Sequence, residues 1–566
     1  MSEEMFVPEW TKTPPQPGSY RSITKIGRPD QIKVPSNRYF ALLKKELELD
    51  DAYFAEKCDG NQPVGPVPPS NLDNSVLQEL TGIVGSENVR TDDYSRVKYS
   101  YGKLAEETSP LKRGVLHEIT GAAVHPRDKE DVKKIVAFCN SKKIPIYVYG
   151  GGSGTTKALL PERGGITLVL NTHMNKVLEV NELNSTCRVQ AGCMGPDLEN
   201  ALNNAPGKFN TLHRFTEGHF PQSFELSSVG GWVVTSGSGQ ASTYYGEPVN
   251  LVLSVEVVTP RGVINTIDYP STATGPRVMD MFKGSEGAFG VVVELTIKIF
   301  RYMPGNRRYF SFIFPDFAKA IEAAREICQG QFGLPAVLRV SDAEETDHAM
   351  QMYPQMASVE WFLKTRGLLP GKRTLCMGTI EGDRDFTALV GKKISRIAKS
   401  RGGMSIGARG AKTWEKERYL SFLIGETVTD YNILMETVET PVRWDNLHHI
   451  HDYVMAYAHS VPGTMCISHA SHFYPYGTNL YFIFGIKGSV EDYIAYRTGL
   501  VDAMVKAGGT PSHHHGVGRL MNQWMESFLG KEEMDALRAM KKHFDPNNIM
   551  NPGGTLGLDI PDNLKR

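Results

Sequence analysis

The chain has 566 residues, 40% of them apolar and 22% charged, with a formal net charge of −1. That describes a globular protein of roughly three or four domain-sized units, and it excludes nucleic acid or an anionic membrane as a partner held by bulk charge. No run reaches the ~20 apolar residues of a membrane span.

MSEEMFVPEW lacks the basic and apolar regions of a secretion signal. The seven cysteines are scattered, with no C-x-x-C, which favours a reducing compartment. A cytoplasmic location is therefore expected.

Residues 1–70 are rich in Pro and Gly (TPPQPG, NQPVGPVPPS) and read as an extended arm over the body, docked through Trp10, Tyr39 and Phe40. A short helical region is expected at 71–90. In DKEDVKKIVAFCNSKK, Val132, Ile135, Val136 and Cys139 fall on one helical face. Asp128 is placed to cap that helix, with Glu130 and Asp131 in its first turn.

The stretch PIYVYGGGSGTTKALL carries the most information. Ile146, Tyr147 and Val148 read as a strand that runs straight into Gly150, Gly151 and Gly152. Three glycines suit a backbone that turns sharply and approaches something closely. Ser153, Thr155 and Thr156 add hydroxyls, and the successive amides can form an anion-binding nest. Alone, the same residues also spell an ordinary surface turn, and they match neither of the familiar nucleotide loops. A charge at Gly151 is expected to abolish binding there, whereas a bare β-carbon is expected to be tolerated.

Alternating strands follow in GITLVL, KVLEV and CRVQAG. Residues 217–246 are dense in Gly, Ser and Thr, and SVEVVTPRGVI is a strand–turn–strand about Pro260, Arg261 and Gly262. Lys283 to Gly287 form a loop before a long apolar strand. Past about 305 longer helices alternate with strands, marking a second domain. The last fifty residues hold SHHHGVGRL, an amphipathic helix around 531–543, and FDPNNIMNPGG.

Taken in order, the 150–154 loop, FELSSVGGW, TPRG, GSEGAFGV and DPNNIMNPG resemble the FAD-linked oxidases of the vanillyl-alcohol-oxidase family, with a PCMH-type FAD-binding domain. ATGPRVMDMFKGSEG and SHHHGVGRL look most like the alkyldihydroxyacetonephosphate synthase branch of that family. The resemblance implies an α+β fold: a two-subdomain FAD-binding domain (111–303), an α/β substrate or cap domain (304–510), an N-terminal arm and helical region (1–110), and a C-terminal segment (511–566) returning to the flavin.

It also implies FAD, bound non-covalently. Val148, Tyr149, Gly150, Gly151, Gly152, Ser153 and Gly154 would hold its pyrophosphate. Ser223, Phe224, Glu225, Leu226, Ser227 and Ser228 would line the rest, with Thr235, Ser236, Gly237 and Ser238. Glu286, Gly287, Ala288, Phe289, Gly290, Val291 and Val292 would complete it. Short Gly-Ser-Thr loops suit a pyrophosphate because they present uncharged donors without bulk. His219 sits near this lining but gives no trusted covalent tether.

The reacting groups implied are Tyr481 and the consecutive His513, His514 and His515, which cannot all point one way. Histidine titrates near neutrality and suits proton transfer beside a flavin. Arg339 matches a family arginine that could anchor an anionic group. A further arginine of the synthase branch, counted back from Trp444-Asp445, falls on Gly425 in SFLIGETVTD. Histidines 448, 449, 451, 469 and 472 could supply metal ligands, but no metal is expected.

The first function expected is an FAD-dependent oxidoreductase, oxidising an alcohol or 2-hydroxy acid by hydride transfer to flavin N5, with His515 or a neighbour as base. The alternative is a synthase-like transferase acting through a flavin N5 substrate adduct. Expected partners are a small-molecule substrate, an electron-acceptor protein and a second copy in a homodimer.

Overall fold

A computed structural model describes residues 12–55, 57–352, 360–420, 423–561 and 565. Trp10, and Ser421 and Phe422 of SFLIGETVTD, lie outside the described residues. The arm docks by charge as well as by apolar contact. Arg21 grips Asp430 with both guanidinium nitrogens (2.6 and 3.0 Å), Lys112 reaches the same carboxylate at 2.8 Å, and Lys25 meets Glu426 at 3.0 Å. All five side chains are buried, and such charges are held only because each is paired. Tyr39 and Leu43 pack beside them against Ile424 and Val428.

Four strands, β1 (Val89–Arg90), β2 (Ala122–Val124), β3 (Ile146–Tyr149) and β4 (Ile166–Val169), form the first sheet in the order β1-β2-β4-β3. β2, β4 and β3 run parallel, as strand–helix–strand connections require. The connecting helix Lys129–Lys142 begins where the Asp128 carboxylate accepts the Glu130 and Asp131 amides. It buries Val132, Ile135, Val136 and Cys139, the expected face. The free edge of β3 is closed by the C-terminal segment: Ile146 N–H donates to Ile549 O, and Asn551 N–H donates to Ile146 O.

The next strands are β5 (Val177–Asn181), β6 (Thr186–Gln190), β7 (Phe215–Thr216), β8 (Val252–Thr259), β9 (Gly262–Asn265) and β10 (Val291–Lys298). Five of them make an antiparallel sheet ordered β5-β6-β10-β8-β9, while β7 pairs with β11 (Phe300–Arg301). Between β7 and β8 the Gly-Ser-Thr stretch folds into short helices, Val229–Val234 and Ser242–Tyr245 among them.

The second domain is built on seven strands: β12 (Arg308–Phe314), β13 (Val337–Ser341), β14 (Thr374–Ile380), β15 (Met404–Ser405), β16 (Ile433–Arg443), β17 (Thr464–Tyr474) and β18 (Gly477–Lys487). They order as β15-β12-β14-β13-β17-β18-β16, antiparallel throughout. Side chains alternate between the two faces of such a sheet. One face carries Phe312, Leu338, Val438, Ala470, Phe482 and Phe484, covered by helices Phe317–Gln329, Arg384–Ser400, Leu447–His459 and Val490–Lys506.

The register puts polar residues on the opposite face. Glu439 stands opposite Tyr481, Tyr481 opposite His469, His469 opposite Ser341, and Arg339 opposite Ser471.

Candidate active site

The segments expected to line FAD do converge. A β-carbon on Gly151 would lie 2.1 Å from Leu226 O and 2.8 Å from Ser227 Cα, and one on Gly150 would lie 2.2 Å from Ser228 Oγ. Gly287 reaches Val148, and the amides of Gly284 and Glu286 donate to Val233 and Val234 of the short helix between them. Ala288, Phe289, Val291 and Val292 are buried. A glycine-lined cradle with open space at Gly154 fits a dinucleotide laid along the loop.

Several hydroxyls read as cofactor donors are engaged within the protein. Ser227 donates to Ser223 O and accepts the Trp232 indole N–H, Thr235 donates to Gly231 O, Ser238 donates to Glu247, and Ser228 caps a helix. The anion donors left are chiefly backbone amides. The Glu286 carboxylate takes the amides of Val517 (2.6 Å) and Gly518 (2.9 Å), so it braces the C-terminal loop against this domain. Glu225 turns to Gln31 of the arm at 2.6 Å, and Phe224 stacks on Trp232 and Tyr419. His219 sets Nδ1 against the Glu217 carboxylate and its ring edge against Trp232; its buried Nε2 has no partner among the described residues.

The Gly151 contacts correct one expectation. The atoms a β-carbon would strike belong to backbone, which cannot swing aside as a side chain would. Gly151→Ala is therefore expected to lose FAD much as Gly151→Asp would. Visible flavin absorbance per purified chain is the check, and a full complement in the alanine variant refutes the prediction.

The histidine triplet is arranged by a residue the sequence did not single out. Glu439 on β16, 2% exposed, accepts the amide of His513 at 2.8 Å, of His514 at 3.1 Å and of His515 at 3.3 Å, and the Ser512 hydroxyl at 3.0 Å. Successive amides curled around one carboxylate fix the loop and give the rings different directions, 87° apart for His513 and His514 and 54° for His514 and His515. His514 Nε2 is hydrogen-bonded to the Tyr481 hydroxyl, His513 turns to Tyr474, and His515 stands edge-on to Tyr481 with its centroid 6.0 Å away.

Burial, then the neighbouring imidazoles, hold His514 far below the usual histidine range, and burial with Glu439 nearby lifts Tyr481 far above the usual tyrosine range. The pair is neutral tyrosine against neutral imidazole. That is the ground state of a proton acceptor in waiting.

His469 stacks on Tyr481 at 4.7 Å with the rings 11° apart, and Arg339 binds His469 at 3.0 Å and Glu345 at 2.6 Å. Burial pushes the Glu345 carboxyl up, but the Arg339 guanidinium and His469 more than offset it and hold it down at about 2. Arg339 thus approaches the site as half of an ion pair. His472 adopts φ +56° at a register break in β17, a bulge that turns its ring to within 4.8 Å of His514.

The five histidines weighed as metal ligands do not meet. His469 and His472 face Tyr481, while His451 packs near Phe317 and Phe482 on the helix-covered face and binds Asp342. Among the described residues, Glu439, His513 and His514 do bring three donor atoms within 4.8 Å. Those atoms are already matched, because Glu439 accepts the loop amides and the two Nδ1 atoms bond each other at 2.7 Å.

The glycine cradle and the polar, histidine-lined sheet are joined through the loop that carries the histidine triplet, braced by Glu286. Residues 120–268 match the FAD binding domain family and residues 303–555 the C-terminal domain of FAD linked oxidases, and the chain belongs to these FAD-linked oxidases. Its cofactor is FAD, held non-covalently.

Among relatives, the chain is 28% identical over 548 residues to the alkyldihydroxyacetonephosphate synthase of Dictyostelium discoideum, covering 92% of this chain and 87% of that one. It is 27% identical to YgcU of Escherichia coli (strain K12), described as an uncharacterized FAD-linked oxidoreductase, over 85% of this chain and 97% of that one. A solved alkyldihydroxyacetonephosphate synthase superposes with a TM-score of 0.77 at 25% identity, covering 91% of this chain and 92% of that one. No described helix is long and apolar enough to cross a membrane.

Proposed function

We propose that this protein is a flavin-dependent transferase of the alkyldihydroxyacetonephosphate synthase type, in which Tyr481 with His514 removes the hydroxyl proton of an incoming alcohol. This reverses the order of the two functions expected from the sequence. The observation that carries it is the buried Tyr481–His514 hydrogen bond, with the His514 amide held by Glu439 on the polar sheet face, in a chain similar to such a synthase over 92% of its length. Bound FAD supplies the electrophile or electron sink that side chains lack. The protein positions the alcohol and takes its proton.

Oxidation of an alcohol or 2-hydroxy acid remains the second reading, favoured by Gly425. Among the described residues a β-carbon there would meet Met435 at 3.5 Å, ordinary contact, so the backbone does not demand glycine where the synthase branch has its arginine. The test is anaerobic incubation of the FAD-loaded protein with an acylated dihydroxyacetone phosphate and a long-chain alcohol. Alkyl dihydroxyacetone phosphate should form with no net consumption of an electron acceptor. Bleaching of the flavin by the alcohol alone, without ether product, would replace this reading with the oxidative one.

A further inference from the structure

The hydrogen bonds continue past His514. Tyr481 bonds His514 Nε2, His514 Nδ1 lies 2.7 Å from His513 Nδ1, His513 Nε2 lies 2.6 Å from the Tyr474 hydroxyl, and that hydroxyl bonds Glu247 Oε1. The direction of every bond follows from the far end. A carboxylate only accepts, so Tyr474 O–H donates to Glu247. With His513 neutral, the Tyr474 oxygen accepts from His513 Nε2–H, leaving the Nδ1 lone pair of His513 to accept from His514 Nδ1–H. His514 Nε2 is thereby left as the acceptor for Tyr481.

All four donors point the same way, from Tyr481 to Glu247. The two ends also differ in access to water: Tyr481 is 9% exposed and His514 8%, whereas the Glu247 side chain is 21% exposed at the start of helix Pro248–Leu251. Ser238 O–H donates to the same Glu247 oxygen and steadies it. His515 stays off the line, its Nδ1 lying 3.4 Å from Glu439.

We propose that Glu247, acting through Tyr474, His513 and His514, is the outlet for the proton that Tyr481 receives; this rests on the reading that Tyr481 takes a substrate hydroxyl proton. As the substrate proton reaches the Tyr481 oxygen, the Tyr481 proton passes to His514 Nε2 and the His514 Nδ1 proton to His513 Nδ1. The His513 Nε2 proton passes to the Tyr474 oxygen, and the Tyr474 proton to the Glu247 carboxylate. One proton has left the substrate and one has arrived at Glu247. Tyr481, His514, His513 and Tyr474 end neutral, the imidazoles with their tautomers exchanged. Glu247 then releases its proton to solvent, and the two imidazoles must regain their first tautomers before the line can carry a second proton. Tyr474 and Glu247 are positioning and relay residues, since neither touches the reacting atoms.

Two measurements test this. In resting, FAD-loaded protein carrying ¹⁵N-labelled histidine, NMR should find His513 protonated at Nε2 and His514 at Nδ1; the opposite tautomers would overturn the relay. In turnover, Glu247→Gln and Tyr474→Phe at full flavin content should lower kcat roughly 10- to 100-fold at unchanged KM, a part of what a positioned acid–base group contributes. Glu247→Asp should recover most of the loss, and a small weak-acid buffer such as formate should speed Glu247→Gln. Wild-type kcat in both variants, or a low kcat that neither aspartate nor buffer raises, would refute the relay. The tautomers need no substrate, so a wild type that makes no ether product removes the synthase reading without deciding this one.

Discussion

Tyr481→Phe and His514→Ala are each expected to slow turnover by roughly 10²–10⁴-fold while leaving flavin content unchanged, the usual contribution of a positioned acid–base group. Removing the Tyr481 hydroxyl takes away the atom bonded to His514 Nε2, and removing the imidazole leaves that hydroxyl with no buried acceptor. The double variant should lose less than the product of the two, because groups acting as a unit are not additive. His515→Ala should cost less than either, which moves the emphasis from the histidine first favoured. Its ring stands edge-on to Tyr481 instead of accepting its proton, and its side chain is 26% exposed.

Single-turnover rates on variants of equal flavin content make the check, and a wild-type rate in His514→Ala would refute the assignment. The pH profile has a definite sign. Burial and the surrounding imidazoles hold His514 below its ordinary value of 6.5, so it stays neutral and able to accept well into mild acid. Activity should fall only when pH drops through that lowered value, placing the acid limb below the usual histidine range.

Glu439→Ala is expected to match the His514→Ala loss without touching a ring. It strips one carboxylate from three backbone amides and the Ser512 hydroxyl, and each buried donor left unsatisfied costs about 1–3 kcal/mol. The loop must move to find other acceptors, and the ring directions move with it. Glu439→Gln keeps one acceptor oxygen but turns an NH₂ group towards amide donors, so it should fall between alanine and wild type. Thermal unfolding and turnover should drop together across the series. An alanine variant with wild-type turnover would show that the triplet holds its shape without the carboxylate.

The flavin side of this protein was largely legible from its sequence. The glycine loop after β3 and the capped helix at Lys129–Lys142 are set by residues adjacent in the chain, and glycine freedom and helical period are local properties. The motif order pointed in the same way to the family and to Tyr481 and the triplet. Harder to read was what those residues do to one another. The Glu439 carboxylate lies 74 residues from the first amide it accepts, and Tyr481 lies 33 residues from His514.

Those pairings depend on the register of β16 against β18, in which a shift of one residue would turn Glu439 to the apolar face. The sequence by itself therefore determined the cofactor, the family and the list of candidate groups. Only the tertiary structure decided that Gly151 faces backbone, that His514 and not His515 meets Tyr481, and that Tyr474 and Glu247 join the line. The reason is physical: a side chain's type is written at its own position, but its direction is imposed by strands and loops that meet it from far along the chain.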